Sequence, residues 1–143
     1  MRFMLIVKAN GYSETGVHYS QEYVDAMKAF KRSLVKAGAL LTAEELNPSS
    51  RGIRICYPSD GGQPKIQAGP FPADQELVAE FVVIDVQTEE EALEWAIRMP
   101  IPTGLESTIE LRSLQENVDS LSEPGIHALE ADLLDYLHML RKL

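Results

Sequence analysis

Few side chains in this 143-residue chain are of a kind that does chemistry, and they are scattered. His18, between Val17 and Tyr19 in a polar loop, is placed to act as a general base near neutral pH if a pocket forms at a sheet edge. A loop histidine with no partner in the sequence is otherwise a surface or structural residue. Asp85 closes an apolar run, where a carboxylate can orient a base or bind a substrate amine, although acids at strand ends also simply turn the chain towards a helix. Arg54 could grip an anionic substrate with a two-pronged hydrogen bond. Arg51, Arg54 and Arg112 read equally well as strand-face charges balancing nearby glutamates. His127 and His138 lie on a leucine-rich stretch without metal-ligand spacing and are read as structural. Cys56, the one cysteine, sits between Ile55 and Tyr57 with no basic residue beside it, which favours packing over nucleophilic attack.

Several function classes lose support at this level. The chain has no phosphate-cradling glycine loop, no Ser-His-Asp signature and no clustered metal ligands, so neither a cofactor nor a metal is expected. With 22 acidic against 13 basic residues the formal charge is -9, which repels phosphate backbones and anionic lipid surfaces and removes nucleic acid and membrane from the expected partners. Lys28, Lys31, Arg32 and Lys36 cluster locally, as on the solvated face of a helix. A single cysteine permits no internal disulfide, and the apolar run Phe3 to Val7 is too short for a signal core or a membrane span; the expected location is the cytoplasm.

The elements that must position these groups follow from pattern. Phe3 to Ala9 and Val78 to Val86 are apolar in near succession, without the alternation of a strand that has one wet face, so both are read as central strands covered on both sides. Ser20 caps a helix in which Tyr23, Met27, Phe30 and Leu34 recur at helical spacing until Gly38 ends it. Leu40 to Leu46, Gly52 to Tyr57 and Lys65 to Ala68 are expected strands of a small meander, separated by turns at Asn47-Pro48-Ser49-Ser50 and Ser59-Asp60-Gly61-Gly62. Thr88 opens a second helix with Glu91 reaching back in a capping box; it runs to about Arg98 before Pro100 and Pro102. Thr108 to Arg112 alternates as a strand with one wet face, and beyond Pro124-Gly125 a leucine stripe predicts a last helix.

This order predicts an α+β domain with a ferredoxin-like βαββαβ core: one antiparallel sheet with the first and third core strands in its middle, an extra hairpin strand and an added C-terminal helix. Both core helices then lie on one sheet face. The apolar residues of the opposite face need a second cover, which a symmetric homodimer supplies by bringing two sheets together; the C-terminal helix folding back is the rival cover.

Ala68-Gly69-Pro70-Phe71 resembles the DGPF motif. Glu76 matches the end of the acidic, lysine-containing stretch that follows it, and the likeness continues through Phe81 to Asp85, Glu91-Ala92-Leu93-Glu94-Trp95-Ala96, Pro100 and Ile109-Glu110-Leu111-Arg112. Upstream, Lys36-Ala37-Gly38 and Leu46-Asn47-Pro48-Ser49-Ser50 are similar as well. The chain thus resembles the YCII-related (DGPF) family over residues 1–115, with residues 116–143 as a helical extension of the same domain. The resemblance implies a dimeric α/β barrel. Some members of that family are encoded beside or fused to extracytoplasmic-function sigma factors, and better-studied relatives suggest a His-Asp pair in a sheet-lined pocket; no helix histidine here matches that His. Ala68 stands at the motif's Asp, Ala73 and Gln75 replace the usual acid and lysine, and Glu80 stands where glycine is common. If the missing groups carried an activity, this member has lost or changed it.

Three functions are therefore expected in order. The first is a small-molecule binding or accessory protein acting as a homodimer, holding an apolar or mildly anionic ligand with Arg54, Gly69, Pro70, Phe71 and Glu76 as candidate contacts. The second is a cofactor-free enzyme in which His18, with Asp85, moves a proton on a small organic substrate. The third is a regulatory interaction module, linked to a sigma-factor system and docking through the last helix.

Overall fold

The computed structural model describes residues 1–72, 76–116, and 137, 139 and 140. Apart from Leu137, Met139 and Leu140, the expected C-terminal helix, with His127 and His138, falls outside the described residues, as do Ala73 and Gln75. The elements are β1 (Arg2–Lys8), α1 (Gly11–Thr15), α2 (Gln21–Lys36), β2 (Leu40–Glu45), a 3-10 turn (Ser49–Arg51), β3 (Ile53–Cys56), β4 (Lys65–Ala68), β5 (Val78–Asp85), α3 (Glu89–Arg98) and β6 (Ile109–Ser113).

A four-stranded antiparallel sheet has the order β2-β5-β1-β6, so the two strands without alternation occupy its centre and the core is ferredoxin-like. Phe3 and Leu5 stand opposite Ile84 and Val82. These four residues join Met27, Phe30 and Leu34 of α2 and Ala92 and Trp95 of α3 in one buried cluster, which puts both helices on one face. Trp95 meets Phe30 edge to face at 6.0 Å. On the other face the pleat projects Met4, Ile6, Phe81 and Val83.

The helix ends are set by local chemistry. Ser20 accepts from the Tyr23 N–H at the start of α2. At its end Gly38, at φ 69°, lets Ala39 N–H reach the Leu34 carbonyl at 2.9 Å, and Gly38 N–H reaches Val35. At α3, Thr88 accepts from Glu91 N–H, while the Glu91 carboxylate reaches back to Gln87 N–H, one residue beyond the cap itself.

The expected meander is corrected in one respect. Among the described residues β2 pairs only with β5, and β3 pairs with β4 in a separate two-stranded hairpin. The connection from β2 is not a tight turn: Asn47-Pro48 leads into the 3-10 turn, which carries the chain off the sheet edge. The hairpin turns Ile53, Ile55 and Ile66 to solvent, and Cys56 is exposed rather than packed.

Leu34 is fully buried, whereas Val35 beside it is 62% exposed. Leu34→Ala is expected to cost about 2–5 kcal/mol of unfolding free energy. Val35→Ala should stay within about 0.5 kcal/mol. Urea midpoints of the two variants, read against the parent, check the assignment of the buried face.

Candidate functional site

Two cavities flank the segment that leaves β2. The larger, about 510 Å³, opens between the sheet end and the start of α2. It is lined by Val7 of β1, Tyr12 and Ser13 of α1, Gly16 to Tyr19 of the loop that follows, Tyr23, Val24, Met27 and Lys28 of α2, Glu45 of β2, Asn47 and Pro48, and Ala79 and Glu80 of β5. Asn10 caps the short α1, its side chain accepting from Ser13 N–H while the Ser13 hydroxyl accepts from Asn10 N–H. The loop so anchored aligns three phenol rings. Tyr12 and Tyr19 lie 6.4 Å apart between centroids, and Tyr19 and Tyr23 4.8 Å apart.

Glu80 shares its side of β5 with Val82 and Ile84 and is only 6% exposed. Its register partners are Val7 on β1 and Glu45 on β2, so two carboxylates stand directly opposite across neighbouring strands. Lys31 Nζ pairs with Glu80 Oε1 at 2.9 Å. Burial raises the Glu80 pKa above its ordinary value of 4.5; Lys31 opposes the rise and Glu45 adds to it. The Tyr23 phenol is also pushed well up, first by burial, then by the charges of Glu80, Tyr19 and Glu45.

His18 lines this cavity at its exposed rim, and among the described residues no hydrogen bond or ion pair holds it. The structure does not bring Asp85 to it. Asp85 lies five residues along β5 from Glu80, about 17 Å for an extended strand, and points to the opposite face. There it accepts from the Met1 ammonium at 3.2 Å and remains half exposed. Of the two carboxylates that reach the cavity with His18, Glu45 and Glu80, the buried one is Glu80. Its signal was in the pattern, since Glu80 has the parity of two buried aliphatics, but position in a strand is invisible until the register is known.

The smaller cavity, about 380 Å³, is lined by Glu14, Ser49, Arg51, Gly52, Phe71, Glu76 and Val78, and shares Leu46, Asn47 and Pro48 with the first. Here Phe71 and Glu76 meet. Arg54 lies just behind, its guanidinium 4.1 Å above the Phe71 ring centroid. Gly69 and Pro70 line neither cavity. They form a cis peptide and a very close approach: a Cβ on Gly69 would fall 1.7 Å from the Ser49 carbonyl oxygen. Ser49 is held from three sides, its N–H donating to Glu14 Oε2 at 2.8 Å, its hydroxyl donating to Glu14 Oε1, and that hydroxyl accepting from Phe71 N–H at 3.0 Å. The Gly-Pro-Phe run thus clamps three loops together.

Among the described residues no group of three or more His, Cys, Asp or Glu side chains could hold a metal ion, and no helix is long and apolar enough to cross a membrane. A family model described as YCII-related domain matches residues 1–116. No curated protein matches the chain.

Two outcomes follow from this geometry. Gly69→Ala forces Cβ into the Ser49 carbonyl and is expected to destabilise by at least about 1–3 kcal/mol; a urea midpoint equal to the parent's would refute the close approach. Because the native state holds the Glu80 proton more tightly than the unfolded chain, stability should fall as pH rises from the ordinary value of 4.5 through the raised native one. Glu80→Gln lacks that component, so the parent should lose ground to the variant across this window. A stability difference independent of pH would show that Glu80 ionises alike in both states.

Proposed function

The chain belongs to the YCII-related domain family, and on that footing we propose that it is a homodimeric small-molecule binding protein whose ligand occupies the 510 Å³ cavity. The observation that carries the reading is the convergence there of Tyr19, Tyr23, His18 and the buried Glu80 around an apolar floor of Val7 and Met27. A cavity of this size with a few aimed polar groups is the usual form of a small-molecule site. Support for the dimer comes from the sheet face away from the helices, where Met4, Ile6 and Phe81 form a half-buried apolar strip. Lys8 and Arg112 flank it, each paired with Glu110. A second copy covers such a face with one self-complementary patch.

A second reading adds proton transfer in the same cavity, with Glu80 in the part expected of Asp85 and His18 as its partner. What favours it is a carboxyl group whose pKa burial raises towards the range useful for acid-base work.

Titration of the ¹⁵N-labelled protein with small aromatic and aliphatic fragments should move amides around residues 17–28, 45–48 and 79–80. Val24→Trp, which crowds the cavity from α2, should weaken such fragments about tenfold without lowering the unfolding temperature. If no fragment moves those amides, the binding reading fails. Phe81→Asp should convert the dimer to monomer in sedimentation analysis; a parent that sediments as a monomer removes the dimer. Proton transfer requires solvent deuterium to enter a bound ligand's acidic C–H position, and Glu80→Gln to abolish it.

A further inference from the structure

We propose that the larger cavity takes an organic cation, a primary or quaternary ammonium on a short aromatic or aliphatic body. This rests on the binding reading above and narrows it to a chemical class.

Glu45 and Glu80 face each other across β2 and β5 and both line the cavity. Two like charges in direct cross-strand register repel, and a cation set between them relieves that repulsion. Lys31 serves only part of this need. It pairs with Glu80 but does not line the cavity, and it leaves Glu45 uncompensated. Lys28 does line the cavity, from an exposed position on α2.

The two carboxylates make the interior acidic, and the Tyr23 phenol lies beside them in the lining. Burial first, then the charges of Glu80, Tyr19 and Glu45, push its pKa up. A negative interior disfavours the mildly anionic ligand that the sequence suggested. The tyrosines supply the second half of the recognition. Tyr12, Tyr19 and Tyr23 form a tilted array, with 46° and 50° between successive ring planes, along one wall. Ring faces carry negative quadrupole charge, and phenol walls with carboxylates behind them are a form in which proteins hold ammonium groups. The chain's net charge of -9 steers the same class of ligand inward.

The test compares three probes that share one phenyl ring and differ in charge: benzyltrimethylammonium, benzoate and benzyl alcohol. Each is titrated into the ¹⁵N-labelled full chain at low salt. The expected result is that the ammonium shifts the amides of residues 19, 23, 45 and 80 and binds about tenfold or more tightly than benzoate. Glu45 is exposed, so Glu45→Gln keeps the fold; it should weaken the ammonium severalfold and leave benzyl alcohol unchanged. Benzoate or benzyl alcohol binding in the cavity as tightly as the ammonium overturns the cation class and leaves the cavity reading intact. Ammonium shifts confined to other acidic surface overturn the site. Failure of all three probes to move these amides overturns the binding reading itself.

Discussion

A carboxylate leaves water only at a cost of several kcal/mol unless something compensates it, and Glu80 sits on the buried face of a central strand. Much of the molecule around it reads as the compensation. Strand β5 must turn Val82 and Ile84 towards the helices, and its pleat carries Glu80 the same way. Lys31 stands one position beyond Phe30 in the buried stripe of α2, close enough for its stem to lie along the core while its ammonium meets the acid. That pairing ties the register of α2 to the register of β5. It also keeps this end of the sheet from closing with aliphatic side chains, and the space left is the larger cavity.

The fold was legible because its strongest signals are properties of single segments. Strands β1 and β5 lack alternation, and they lie in the middle of the sheet, as expected of strands covered on both faces. Ser20 and Thr88 start their helices where their hydroxyls can accept a free N–H, and Gly38 ends α2 in the left-handed conformation that other residues resist. What escaped was what carries little periodicity. The five-residue α1 buries nothing, so its stretch read as loop. The β2–β3 link looked like a hairpin turn because Asn-Pro-Ser-Ser suits a turn and equally suits the 3-10 turn that takes β3 off the sheet.

The site was less legible, for a geometric reason. Chemistry in a cavity joins residues by register and by strand end, and neither can be counted before pairing is known. His18 and Asp85 made a plausible couple by residue type, yet they belong to opposite ends and faces of the sheet. Glu80 looked like a departure from a commonly glycine position and turned out to be the buried acid at the cavity. The Gly-Pro-Phe run carries architecture: Gly69 is there because the Ser49 carbonyl leaves no room for a Cβ.

Strand β1 precedes both of its neighbours by a long stretch of chain, since Arg2 to Lys8 pair with Val78 to Asp85 and with Ile109 to Ser113. At about 5–20 residues per second, several seconds separate the emergence of β1 from that of its first partner. Until then its unbroken apolar run has nothing to pair with. Closing that long loop carries an entropic cost that purely local pairings avoid. The interval during translation, rather than the finished structure, is where this chain is most exposed to misassociation and where a holding chaperone would act.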